Sequence, residues 1–112
     1  MNKVEKVISA YEPRGEVKQI VVDFALYPQG DMGRPKSHFN VACRLFSETG
    51  DTNKLSGLFQ LTYDFKDENR DATERRAYRE IQKYAKLRWG NDIQFRKYGA
   101  YLAKLKNCLH VH

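Results

Sequence analysis

The sequence predicts an α+β fold in which a four-stranded antiparallel meander is followed by two C-terminal helices that pack on one of its faces. Through positions 1–70 apolar residues largely alternate with polar ones, as in half-buried strands, whereas from Asp71 onward they recur every three or four residues, as in amphipathic helices. A chain of 112 residues with 41% apolar residues suits one core. We therefore expect a single domain over 1–112, with a β-sheet half at 1–70 and a helical half at 71–112.

The predicted sheet has three clear strands and a weaker one. In the clearest strand, Ile20, Val22 and Phe24 share one face, and this alternation repeats in the next two segments. Pro13 and Gly15 supply a turn after the weaker first strand. The predicted strands are, in order, 4–11, 17–27, 39–45 and 55–65.

Two helices are predicted in the second half. Asp71 and Glu74 have the spacing of a capping box, and Gly90 suits the end of the first helix. Asn91 or Asp92 can cap the second helix, in which apolar residues recur at three- and four-residue steps from Phe95 to Leu109. Each helix has one apolar stripe, so both should cover the apolar face of the sheet and leave the other face open. The residues expected to be buried together are Phe24, Val41, Phe59, Leu61, Ile81, Tyr98 and Leu102.

The positive charge is concentrated in the helical half. Residues 1–70 contain ten Lys/Arg and ten Asp/Glu, whereas residues 71–112 contain ten Lys/Arg and four Asp/Glu, so the helical half carries the entire net charge of +6. Such a surface attracts phosphates or an acidic protein surface. Neither apolar run around 20–27 approaches the roughly 20 residues that cross a bilayer, so we expect no membrane partner.

The charge distribution favours a small basic nucleic-acid-binding protein that contacts DNA or RNA phosphates through its helical half and bases through the open sheet face. The alternative is a small protein-interaction module or inhibitor, of the accessory type that phages and mobile elements encode, that binds an acidic partner through the basic surface and the loop 28–37. The open sheet face is also a candidate homodimer interface. The predicted contact residues for nucleic acid or a protein partner are Arg34, Lys36, Arg44, Arg75, Arg76, Arg79, Lys83, Lys86, Arg88, Arg96 and Lys97.

No motif indicates an enzyme, a cofactor or a metal. Cys108, His110 and His112 alternate and are potential zinc or copper ligands, but a fourth ligand is not evident. Glu16 and Lys18 have the acid-x-Lys spacing found in metal-dependent nucleases, a three-residue pattern that occurs by chance in charged sequences. We therefore expect no catalytic residues, no cofactor and no metal.

The N-terminus and the cysteines favour the cytoplasm. Residues 1–6 alternate in charge where a secretory signal would have an apolar stretch. Two cysteines, Cys43 and Cys108, do not make a multi-bridge framework, which favours a reducing compartment.

Overall fold

The computed structural model describes residues 2–24, 38–50, 54–64 and 69–103. Helices and strands follow in the order α-β-β-β-α-β, and residues 98–103 then form a short helical stretch. The α+β class and the four-stranded sheet are as predicted, whereas the order of the elements is not. The elements are α1 (Lys3–Ala10), β1 (Gln19–Asp23), β2 (His38–Phe46), β3 (Leu55–Asp64), α2 (Arg70–Trp89) and β4 (Gln94–Lys97).

The sheet is mixed, so the prediction of an entirely antiparallel meander is wrong. Its strand order is β3-β2-β1-β4, in which β1 and β3 pair antiparallel with β2 while β4 pairs parallel with β1. A parallel pair needs a crossover, and α2 supplies it. With 20 residues, this helix is about 30 Å long. It therefore carries the chain from the β3 edge to the opposite edge of the sheet.

The N-terminal segment is a helix, which corrects the predicted strand at 4–11. The side chain of Asn2 caps it by accepting a hydrogen bond from the amide of Glu5 at 2.8 Å. Val4 and Ile8, one helical turn apart, are buried in the core, and Tyr11 lies partly buried beside them. The steps of four and three residues between these apolar positions place them on one face of a helix, whereas a strand would put Tyr11 on the opposite face.

The second predicted helix is replaced by strand β4 and the helical stretch at 98–103. Ile93 and Phe95 point toward the core, and the amide of Gln94 donates a hydrogen bond to the carbonyl of Lys18 at 3.0 Å. Pairing with the free edge of β1 satisfies backbone groups that an isolated helix start would leave exposed. The predicted continuation beyond residue 103 lies outside the described residues.

The first predicted helix begins slightly earlier than its spacing indicated. Asn69 is its N-cap and accepts a hydrogen bond from the amide of Ala72 at 2.8 Å, so Asp71 lies in the first turn instead of at the cap. Gly90 ends the helix with a φ of 117°, a left-handed conformation that favours glycine. Within the described part of the chain, no helix is long and apolar enough to cross a membrane.

The main core lies on one face of the sheet, beneath α1 and α2. Of the predicted core residues, Val41, Phe59, Leu61 and Ile81 are buried there and Phe24 is partly buried beside them. The sheet residues of this core are Ile20, Val22, Val41, Cys43, Leu45, Phe59, Leu61 and Tyr63, and the helical residues are Val4, Ile8, Ala77, Ile81 and Ala85.

The last two predicted core residues are not in this core. Tyr98 packs with Tyr101, Val21 and Phe46 in a separate cluster. Val21 and Phe46 alternate along their strands with residues of the main core, so this cluster lies on the opposite face of the sheet. Leu102 is 41% exposed. The short helical stretch at 98–103 therefore covers part of the sheet face that was predicted to be open.

Candidate nucleic-acid interface

Two of the arginines in α2 form ion pairs within the helix. Arg70 lies 2.7 Å from Glu74, and Arg76 lies 3.5 Å from Glu80, each pair with the i,i+4 spacing that brings side chains together on a helix surface. The guanidinium of Arg76 also lies over the ring of Tyr63, at 5.7 Å from its centroid. The charge of each of these two arginines is therefore compensated by a carboxylate of the same helix.

Arg88 joins the end of α2 to the end of α1. Its guanidinium donates hydrogen bonds to the backbone carbonyls of Ile8 and Tyr11 and lies 3.3 Å from the carboxylate of Glu12. It also lies over the ring of Trp89, at 4.9 Å from its centroid. The last carbonyls of a helix have no partner within the helix, so Arg88 satisfies groups that α1 leaves open. Its position is explained by this structural role.

The four remaining basic residues of α2 point to solvent. Arg75, Arg79 and Lys83 are exposed and Lys86 is partly exposed, and none of them makes an ion pair with any described residue. They recur at steps of four, four and three residues and extend over about 16 Å of the helix axis. We call these four residues the α2 basic face. The opposite side of the helix is its buried stripe, formed by Thr73, Ala77, Ile81 and Ala85.

Partly exposed aromatic rings lie where α2 meets the edge strand β4. The ring centroid of Tyr78 is 6.1 Å from that of Phe24 and 6.5 Å from that of Phe95, and both pairs have edge-to-face geometry. The ammonium of Lys97 lies 5.5 Å from the centroid of Tyr78, and that of Lys86 lies 5.8 Å from the centroid of Phe95. We call Phe24, Tyr78 and Phe95 the aromatic row.

On the opposite face of the sheet, Arg44 is held by its neighbours. It lies 3.4 Å from the carboxylate of Asp23, and its guanidinium lies 4.5 Å from the ring centroid of Tyr98. Arg96 follows Gln94 on the same face of β4, whereas Lys97 lies on the face that carries the aromatic row. The predicted contact residues are thus divided between the two faces of the sheet.

The polar residues on this sheet face, which was predicted to contact bases, differ in exposure. The side-chain amide of Asn40 donates a hydrogen bond to that of Gln60 at 3.1 Å, and Gln60 is exposed. Gln19 is fully buried, and its side-chain amide makes no hydrogen bond with any described residue. Arg34 and Lys36 of the predicted contact loop lie outside the described residues.

The described residues contain no group of three His, Cys, Asp or Glu side chains that could hold a metal ion. The exposed carboxylate of Glu16 pairs with Lys18 at 3.0 Å, and this hydrogen bond raises the pKa of the Lys18 ammonium. Burial raises the pKa of the Cys43 thiol to about 12, so this thiol is protonated at neutral pH. The potential metal ligands Cys108, His110 and His112 lie outside the described residues.

The aromatic row was missed because Phe95 was assigned to a helical stripe. The alternation of Ile93 and Phe95 with the polar residues Asp92, Gln94 and Arg96 is the signal that indicates a strand instead. No protein-family model matches the chain, and neither the curated proteins nor the solved structures with which it was compared include a significant match. The geometry of the α2 basic face and of the aromatic row is therefore the basis for inferring a function.

Proposed function

We propose that this protein binds nucleic acid by contacting phosphates with the α2 basic face, Arg75, Arg79, Lys83 and Lys86. The observation that carries the proposal is that none of these four residues has a carboxylate partner among the described residues, whereas Arg70, Arg76 and Arg88 each have one. Cations at the surface whose charge no neighbouring carboxylate compensates are available to neutralise phosphates and release their counterions.

The spacing of these cations supports a binding role over a general role in solubility. Like charges at i,i+4 destabilise a helix by about 0.2 to 0.5 kcal/mol per pair. Arg75 and Arg79 are such a pair, and so are Arg79 and Lys83. An arrangement that weakens the free helix becomes favourable when a polyanion lies across it, because the phosphates relieve the repulsion.

The test is the salt dependence of binding. Affinities for a labelled single strand and for a duplex are measured by fluorescence anisotropy at several salt concentrations. Replacing Arg75→Gln, Arg79→Gln and Lys83→Gln together should weaken binding to every sequence and lower the slope of log K against log salt by about 2 to 3 units, since each lost phosphate contact removes nearly one unit.

A matched control separates a specific surface from net charge. The triple variant Lys6→Gln, Arg14→Gln and Lys54→Gln removes the same charge from exposed positions outside α2. It should lower the slope far less than the α2 variant does.

Equal effects of the two variants would contradict the proposed surface. If the wild-type protein binds neither the single strand nor the duplex at low salt, where electrostatic attraction is strongest, nucleic-acid binding itself is refuted. The α2 basic face would then be assigned to the alternative, an acidic protein partner.

A further inference from the structure

The aromatic row lies where side chains of α2 meet the edge strand β4. Strand β4 is at one edge of the sheet, and Tyr78 of α2 contacts Phe95 on this strand. The ring of Tyr78 lies between those of Phe24 and Phe95 along this junction, and each of the three side chains is partly exposed. Aromatic side chains of this kind, left partly open beside cations, provide flat surfaces on which other rings can stack.

Two lysines accompany the rings. Lys97 comes from β4 and Lys86 from α2, and each ammonium lies within 6 Å of a ring centroid. Neither makes an ion pair with any described residue. Flat rings with ammonium groups that lie over them are complementary to a nucleotide, in which a flat base is followed closely by a phosphate. An acidic peptide would satisfy the ammonium groups but would leave the rings without a stacking partner.

We infer that the aromatic row, together with Lys86 and Lys97, binds unpaired nucleotides, so that the preferred ligand is single-stranded nucleic acid. This inference rests on the proposed function, because Lys86 belongs to the α2 basic face and joins the two surfaces. In a duplex the faces of the bases are already stacked on each other, so only the phosphates remain available to this protein. A single strand uses both surfaces, and a duplex uses the α2 basic face alone.

The test compares stacking variants on two probes, an oligothymidylate of about 12 nucleotides and a duplex of the same length. Tyr78→Leu and Phe95→Leu remove a ring and keep apolar volume. Each should weaken oligothymidylate binding by about tenfold, within the range for loss of one base–aromatic stack. The salt slope should stay unchanged because no charge is lost, and duplex affinity should also stay unchanged.

Tyr84→Leu is the matched control. Tyr84 is also partly exposed on α2 and has an ammonium beside it, that of Lys83 at 5.2 Å from the ring centroid, but its hydroxyl contacts Asn2 of the α1 side. It should leave affinity for the oligothymidylate unchanged. Tyr78→Phe, which keeps the ring, should bind like the wild type.

A second measurement uses the wild-type protein and does not depend on any variant folding. An oligonucleotide that contains bromodeoxyuridine is irradiated in the complex, and the attachment site is mapped by mass spectrometry. Crosslinks at Tyr78 or Phe95 support the inference. Crosslinks confined to other residues overturn it.

The outcomes separate the two proposals. If the α2 triple variant lowers the salt slope while Tyr78→Leu and Phe95→Leu behave like Tyr84→Leu, the aromatic row is not a nucleotide site and phosphate binding stands. If the α2 triple variant and its charge-matched control have equal effects, the proposed phosphate surface is wrong even where a ring variant weakens binding.

Discussion

Replacing Arg88→Met should destabilise the fold without removing the proposed nucleic-acid binding. Methionine keeps much of the apolar stem of arginine but has no donor for the carbonyls of Ile8 and Tyr11. Hydrogen bonds from a charged donor contribute about 1.5 to 3 kcal/mol each. The Arg88 side chain is 25% exposed, so water replaces part of this loss. The ion pair with Glu12 adds little because that side chain is 84% exposed.

We therefore expect the free energy of unfolding to fall by about 2 to 4 kcal/mol. For a chain of 112 residues this corresponds to a melting temperature lower by roughly 10 °C. The assay is urea unfolding followed by circular dichroism, which gives the free energy directly. Arg88→Lys keeps the charge but not the fork geometry, and it should be intermediate.

Arg75→Met is the matched control, since it removes the same group from an exposed position of the same helix. It should change stability by no more than about 0.5 kcal/mol. If Arg88→Met is as stable as Arg75→Met, the two carbonyl contacts do not hold α1 to α2. If instead the folded Arg88→Met protein loses affinity for nucleic acid as strongly as the α2 triple variant does, Arg88 contacts phosphate and its structural assignment is incomplete.

The remaining predictions concern the core. Phe59→Ala should destabilise by roughly 3 to 5 kcal/mol, because the side chain is 6% exposed in the main core, and an unchanged melting curve would contradict that placement. Gly57→Ala should cost about 1 to 3 kcal/mol, because the added Cβ meets Cε2 of Tyr11 at 2.9 Å; a double-mutant cycle with Tyr11→Ala should show coupling. The buried thiol of Cys43 should react with a thiol reagent only after unfolding. When the protein is denatured without reductant, two free thiols should be titrated, those of Cys43 and Cys108. Finding no free thiol would refute the predicted reducing compartment. Burial raises the pKa of Cys43 from 9.0 to about 12, so above pH 9 unfolding releases the proton of this thiol. The free energy of unfolding should therefore fall by about 1.4 kcal/mol per pH unit above pH 9. Cys43→Ala should reduce this slope.

The periodicity of the sequence was sufficient to predict β2, β3 and α2 and the direction of their side chains. The alternation around Val41 and Phe59 predicted two strands and the face that each presents to the core, and both side chains are buried there. The helical stripe through Ile81 predicted α2, and the same periodicity placed Arg75 and Arg79 on its solvent side. Within one strand or helix, side-chain direction follows from the backbone repeat alone, so these features are readable from the sequence.

The remaining features depend on partners that are distant in sequence. The apolar residues Val4 and Ile8 fit a short helix or an irregular strand, and packing against α2 decides for the helix. Phe95 continues a helical stripe in the sequence but lies in a strand, because the free edge of β1 supplies backbone partners more than 70 residues away. The charge of Arg88 is indistinguishable by composition from that of Arg75, and only the approach of the α1 carbonyls, which are 77 and 80 residues away, gives it a structural role. The spacing of residues within a helix or strand determines which side chains share a face. Which other element that face contacts depends on the free energy of packing distant segments together, and this is gained only when the whole chain folds.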